Sequence, residues 1–466
     1  MIARCFLIGL TLLTLAACKE RREPPPIETT NWSADPFLDS LQSRTFQFFW
    51  NTTDRRTGLT PDRYPTRTFC SIAAVGFGLT AYPIGVERGY IVREEARDAV
   101  LNTLRYFWIA PQGDSPAGMT GYKGFYYHFL DFDKGKRFRQ TELSSIDTGL
   151  LMAGVLFCQS YFDGDDPVER QIRELADSLY RRVDWPWFSP RPPLVSMAWY
   201  PESGFGTHDW TGYVESMILY ILALGSPTHP LEEEAWMKWT STYVWGNYFG
   251  YEFVSFPPLF GHQYSHCWID FRKIKDEYMR GKGIDYFENS RRATYSQRAY
   301  AAENPGGWRD YSDQIWGISA CDGPGDTALT VDERLRKFTG YAARGVAFDW
   351  VRDDGTITPT AAGGSVAFAP ELSLPALKAM KQRYGQKLWK EFGFIDAFNR
   401  TFVTSEHPDG WFDKDYLGID QGPILIMVEN LRTEFVWNIM KKNPYIVRGL
   451  KRAGFSGGWL DQADSQ

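Results

Sequence analysis

The chain repeats one pattern, a helix that is apolar on every face followed by a helix that is apolar on one face only. "SIAAVGFGLTAYPIGVERG" precedes "REEARDAVLNTLRYFWIA", "SSIDTGLLMAGVLFCQSYF" precedes "DPVERQIRELADSLYRRV", and "GYVESMILYILALG" precedes "LEEEAWMKWTSTYV". Weaker versions begin near Phe287, Ser365 and Gln421. A helix without a polar face must be buried, and an amphipathic one covers it. About six such pairs, roughly 55 to 80 residues apart, predict six buried helices ringed by six covering ones, an all-α fold of the (α/α)6 toroid type. The uneven spacing argues against a solenoid of equal repeats. Strand-like pieces such as "KGFYYHFLDFD" and "GYEFVSFPPLF" read as short loops or hairpins on one rim. Inner helices of a toroid run the same way, so their N-termini gather on one face and bring together residues that are distant in sequence.

This region spans residues 36–460 and reads as one domain. Ahead of it, "MIARCFLIGLTLLTLAAC" places Arg4 before an apolar run and ends Leu-Ala-Ala-Cys, which reads as a signal peptide over 1–17 with Cys18 lipidated as in a bacterial lipobox. The charged, proline-rich stretch 18–35 reads as a flexible tether. The expected place is therefore the bacterial envelope, in contact with a membrane through the lipid alone. Lys19 and Glu20 argue against retention at an inner membrane, which leaves a periplasm-facing or surface position on the outer one. Beyond Cys18, the widely spaced Cys70, Cys158, Cys267 and Cys321 form no Cys-x-x-Cys pair and read as buried free thiols. A net charge of -6 without a long basic block excludes nucleic acid as a natural partner. No exposed heptad is evident, so a monomer is expected. Eighteen tryptophans and 25 tyrosines exceed the needs of a core, and such rings suit the apolar faces of sugars.

Carboxylates stand at the predicted inner-helix starts. "TELSSIDTG" carries Glu142 and Asp147, "HDWTGYVES" carries Asp209 and Glu215, and "GIDQGP" carries Asp420 and Gln421. Glycoside hydrolysis needs two such groups, one to protonate the leaving oxygen and one to activate water or attack the sugar. Acidic residues at helix starts also cap free N–H groups, and Asp209 fits that role best. Glu215 falls too far inside its predicted helix to cap it, beside Val214 and Met217, where an apolar setting raises a carboxyl pKa as a general acid requires.

The stretch "GHQYSHCWID" holds His262 and His266 four apart and Asp270 four further on, a spacing that could seat zinc on one helix face. Gln263 stands where a zinc peptidase carries its glutamate, and Pro257, Pro258 and Gly261 make the segment a loop running into a helix. A polar, aromatic rim that grips substrate is the expected role, with no metal. "DFDKGKR" and "CDGPGD" hint at calcium loops without the spacing of an EF-hand, and read as turns. Walker and Gly-x-Gly-x-x-Gly motifs are absent.

Three of these stretches, "ELSSIDTGLLMAG", "GYVESMILYILALGSPTHP" and "GHQYSHCWIDFRKIKDEYMRGKGIDYFENSRRATYSQRAY", resemble the glucoamylase-like lipoproteins of glycoside hydrolase family 144, over about Phe37 to Trp459. The resemblance implies an (α/α)6 toroid that hydrolyses β-1,2-linked glucan with inversion, without a cofactor. It implies either an endo-β-1,2-glucanase, the expectation here, or an exo enzyme releasing sophorose from the non-reducing end. Glu215, Glu142 and Asp147 match acidic positions in the motifs. His262, Tyr264, His266 and Trp268 match the stretch beside them. Trp199, Trp210, Trp308 and Trp316 are candidates for stacking on sugars, and Asp209 and Gln421 for binding them. A non-catalytic glycan-binding lipoprotein on the same fold is the alternative of another class. A third reading keeps an enzyme acting on an α-glucan or a uronic acid polymer.

Overall fold

The computed structural model describes residues 21–26 and 31–462. The signal peptide, Cys18 and part of the tether lie outside these residues. Along the chain run α1 (Pro36–Thr52), α2 (Ile72–Glu87), α3 (Arg93–Ile109), α4 (Ser145–Tyr161), α5 (Pro167–Arg181) and α6 (Met217–Gly225). They are followed by α7 (Glu234–Thr240), α8 (Tyr264–Trp268), α9 (Glu277–Lys282), α10 (Tyr286–Glu303), α11 (Pro359–Gly363), α12 (Pro370–Tyr384) and α13 (Gly418–Thr433). Three short helices close the chain, α14 (Phe435–Met440), α15 (Pro444–Arg452) and α16 (Gly458–Gln462).

The apolar helices pack side by side. α2 lies between α4 and α13, α4 touches α6, and α11 touches α13. The residues of α2 from Ile72 to Gly85 are all buried, as a helix without a polar face demands. Glycine permits the closest approach. A Cβ on Gly154 would stand 2.2 Å from the Gly76 carbonyl oxygen, and one on Gly76 would stand 2.3 Å from that of Leu150. Amphipathic α3 and α5 pack on α2 and α4, held in part by Arg93, which grips Glu169 at 2.7 and 2.9 Å. α12 packs on α11 and α1 on α13.

Three of the expected pairs depart from the sequence pattern. α6 begins at Met217 and not at Gly212, because Gly212 takes a left-handed φ of +74° that a right-handed helix excludes. Its covering partner α7 is short, and α15 from the far end of the chain packs against α6. The segments expected at Phe287 and Ser365 are each preceded by a short buried helix, α8 or α11, the second opened by Pro359 and ended by Gly363 and Gly364. The protein is helix-rich and not purely helical, since short strands carry the chain into most apolar helices. One five-stranded sheet runs in the order 121–122, 125–127, 143–144, 198–200 and 204–205. Cys70, Cys158, Cys267 and Cys321 are free and buried. No described helix is long and apolar enough to cross a membrane.

Candidate active site

The strands preceding the apolar helices place charged side chains at one end of the packed helices. In the five-stranded sheet Tyr127 pairs with Leu143, and the His128 N–H donates to the Glu142 carbonyl at 3.0 Å. The His128 ring therefore stands beside the Glu142 side chain, and its Nδ1 donates to Glu142 Oε1 at 2.7 Å. Its Nε2 lies 3.5 Å from Asp147 Oδ1 in the first turn of α4. Ser144 caps that helix, and its hydroxyl donates to Asp147 Oδ2 at 2.5 Å.

Burial opposes a charge on His128, but Asp147 and Glu142 outweigh it and raise its pKa to about 9. Burial likewise pushes Glu142 up, yet its bond to His128 holds it below the usual carboxylate range. Asp147, more deeply buried, stays above that range despite His128. The imidazolium thus forms a stabilising bridge between two carboxyls. Because its pKa is raised, its contribution is complete below the unfolded value of 6.5 and is lost as pH rises through about 9. The stability difference between the protein and His128→Asn should accordingly shrink across that window, from about 2 kcal/mol after allowance for solvent screening. Denaturant unfolding at a series of pH values checks this, and a difference that grows with pH would contradict it.

Glu215 lies in the turn just before α6, its carbonyl held by the Ser265 hydroxyl at 3.2 Å. Its Oε2 is enclosed and has no hydrogen-bond partner. Burial, with the Asp147 charge adding, lifts its pKa to about 7. It is thus a carboxyl that carries a proton near neutrality and has one oxygen, Oε2, without a partner.

A second acidic group gathers at the start of α13. Arg63 pairs in an antiparallel bridge with Leu417, one residue before α13, which sets Asp62 and Arg63 beside Asp420 in the first turn of that helix. Arg63 binds Asp322 at 2.6 Å and Asp62 at 3.1 Å. A sheet joining strands 356–357, 398–399 and 411–412 brings Asp396 and Asp413 to the same place. Burial raises the pKa of both Asp420 and Asp413 to about 7. The Tyr264 phenol, itself buried, lies within electrostatic reach of both Asp420 and Glu215.

Of the residues singled out in the sequence, Glu142, Asp147, Glu215 and Tyr264 meet here, and Asp420 joins them. Glu215, however, stands before its helix and not inside it. The others lie elsewhere or are packed away. Asp209 caps nothing and is held by Arg191 at 2.5 and 2.9 Å. Gln421 is 1% exposed, its amide nitrogen donating to the Phe394 carbonyl. Trp268 and Trp316 are fully buried, so neither offers a face to a sugar. Trp268 stacks on Phe77 and donates to Thr80. Trp199, Trp210 and Trp308 are also buried. Trp199 packs with Tyr122 and Trp187, Trp210 donates to Ser145, and Trp308 lies under Arg336. His262 and His266 are core residues, bonded to the Phe256 carbonyl and the Ser290 hydroxyl, and Asp270 is bound by Arg272 and Lys441. Sequence reasoning missed His128, Asp62, Arg63, Asp396 and Asp413. Asp322 carried a signal, since it belongs to the "CDGPGD" loop.

A helix-rich fold with carboxyl groups gathered where its apolar helices begin is the class that these features define. The Glycoamylase family, described as "Putative glucoamylase", matches residues 207–444. A Bacteroides uniformis protein of known structure, called a "putative glucoamylase", is 31% identical and aligns over 93% of this chain and all of its own, with a TM-score of 0.80. This chain belongs to that family. It is also similar to the endo-β-1,2-glucanase of Chitinophaga pinensis, solved with sophorotriose and glucose, at 27% identity and a TM-score of 0.79 over 91% of this chain and 99% of that one. An exo β-1,2-glucooligosaccharide sophorohydrolase (non-reducing end) of Parabacteroides distasonis is 27% identical over 94% of this chain. The chain spans 60% of the length of that relative.

Proposed function

We propose that this protein is an inverting glycoside hydrolase of β-1,2-linked glucan, built as an (α/α)6 toroid. In this reading α2, α4, α6, α8, α11 and α13 form the inner ring, and the remaining long helices cover it. The observation that carries it is Glu215, a carboxyl protonated near neutrality whose Oε2 has no partner, with a second acidic group at Asp420 that shares Tyr264 as a neighbour. Such a pair performs general acid and general base catalysis at a glycosidic bond. The names of the Chitinophaga and Parabacteroides relatives support β-1,2-glucan as the substrate.

Glu215 donates its proton to the glycosidic oxygen as the bond to the anomeric carbon breaks. Asp420 takes a proton from water on the opposite face of the ring, and the hydroxide completes an inverted product. Inversion leaves roughly 6.5–9.5 Å between the two carboxyls, which admits that water. Glu142, kept ionised by His128, and Asp147 supply negative charge beside the cationic transition state. Asp420 and Glu215 then exchange protons with solvent to restore the starting state. A lipid on Cys18 and the tether ending at residue 35 hold the catalytic domain, residues 36–460, at the bacterial envelope as a monomer.

The test is a time course on linear β-1,2-glucan with products separated by size. We expect a ladder of sophoro-oligosaccharides, the mark of endo attack. Sophorose alone from the first time point would instead establish an exo enzyme, the mode of the Parabacteroides relative. Absence of any product would overturn the reading.

A further inference from the structure

The tryptophans expected to stack on sugars are buried, yet another aromatic ring stands open beside the acidic group. Tyr341 is 58% exposed, the most open aromatic side chain among the described residues. It lies between the hairpin strand Arg334–Phe338 and the short strand Ala342–Ala343. Cys321 pairs with Ala342 in an antiparallel bridge, and both are buried. Side chains alternate along a strand, so the residues one step outward, Asp322 and Tyr341, stand together at the end of the ladder and turn away from that buried face. Asp322 is fixed in its turn. Arg63 binds its carboxylate at 2.6 Å, and its N–H donates to Asp396 Oδ2 at 2.7 Å. These contacts set the Tyr341 ring next to the carboxyls at the start of α13.

The backbone that carries the ring is clamped. Arg344 is wholly buried, and its guanidinium holds both oxygens of Asp354 at 2.7 and 2.9 Å. A buried charge must be paired and its donors used. The other Arg344 N–H groups donate to the carbonyls of Cys321 at 2.8 Å, Thr339 at 2.8 Å and Gly340 at 2.9 Å. The Gly340 N–H donates to Asp326 Oδ1 at 3.0 Å. The Asp322 loop packs so closely that a Cβ on Gly323 would stand 2.2 Å from the Thr339 carbonyl oxygen. An apolar ring is thus held out in water on a support with no freedom to fold it away, and it forgoes the burial that the other aromatics gain. Its position is recessed rather than outlying. The surrounding protein and the charges of Asp420, Asp62 and Asp396 all push its phenol above the usual range.

We propose that Tyr341 contacts the substrate, its ring being the face on which one glucosyl unit stacks beside the acidic group. The inference rests on the hydrolytic reading above and adds to it the aromatic surface that the tryptophans do not supply. A sugar ring has an apolar face that an open phenol ring covers, and a rigid support spares the cost of ordering it on binding.

Kinetics of the full chain on linear β-1,2-glucan test this. Tyr341→Ala should raise KM by about tenfold or more and change kcat by less than about threefold, the split expected when ground state and transition state lose the same contact. Tyr341→Phe keeps the ring and should recover most of the lost affinity. Equal losses in the two variants would overturn the proposal, since they would assign the effect to the hydroxyl. A fall in kcat at unchanged KM would overturn it as well. Calorimetry with sophorotriose and Glu215→Gln reads binding without turnover, and adding Tyr341→Ala should weaken it by the same factor. The open ring should not matter for folding, so the denaturation midpoint of Tyr341→Ala should match that of the parent. A lowered midpoint would make Tyr341 a packing residue instead. A parent that cleaves β-1,2-glucan alongside an alanine variant of equal KM would sink this inference and leave the hydrolytic reading standing. A parent that neither binds nor cleaves the glucan would remove both.

Discussion

Glu215→Gln is expected to lower kcat/KM on β-1,2-glucan by about 10²–10⁴-fold while the protein stays folded and still binds glucan. The glutamine keeps the shape of the side chain and removes only the transferable proton, so lost turnover with binding intact isolates proton donation. The same variant has a stability signature. Burial holds the Glu215 carboxyl up at about 7 against an ordinary 4.5, so the folded state binds the proton more tightly than the unfolded chain does. Its stabilising contribution is full below about 4.5 and is lost as pH rises to about 7. A neutral glutamine escapes that loss. Glu215→Gln should therefore gain on the parent between those values, by about 2 kcal/mol once partial solvent access is allowed for. Unfolding curves at the two ends of the window measure it. A variant with full activity would remove Glu215 from the mechanism, and a pH-independent difference would remove the account of its burial.

The second large effect concerns the packed helices that carry the site. Gly154→Ala should destabilise the protein by about 3 kcal/mol, because its methyl group would stand 2.2 Å from the Gly76 carbonyl oxygen. The obstacle is backbone in a neighbouring buried helix, which no side-chain rotation relieves. Alanine favours a helix over glycine by about 1 kcal/mol elsewhere, so the sign of the effect depends on that contact. Gly281 in α9 supplies the control, since a Cβ there meets nothing within 4 Å and Gly281→Ala should be neutral or stabilising. Equal effects at the two glycines, measured as denaturant midpoints, would contradict the close crossing of α2 and α4.

Much of this was legible before any coordinates. The crossing of α2 and α4 follows from helices that are apolar all round and carry glycines. The gathering of Glu142, Asp147, Glu215 and Asp420 follows from their places at the starts of such helices. Glu215 was singled out for its apolar neighbours, which do raise its pKa, although it stands before the helix and not inside it. The bridging histidine was not legible, because His128 meets Glu142 across two short strands whose register no local periodicity announces. Asp396 and Asp413 were missed for the same reason, as they sit between two-residue strands in loops. The tryptophans and histidines misled in the other direction. Trp268, Trp316, His262 and His266 have the chemistry of a sugar-binding rim, but each satisfies its packing in the core. Residue type alone does not distinguish a ring buried against another ring from one left open to a substrate.

The measurement that tests the central claim most directly follows the anomeric proton signals by NMR while the full chain acts on linear β-1,2-glucan. The account predicts that new reducing ends appear first as the α-anomer and only later equilibrate with the β-anomer. Initial release of the β-anomer would contradict inversion and the roles given to Glu215 and Asp420. No new reducing end, with glucan still bound, would contradict hydrolysis altogether and identify the protein as one that captures glycans.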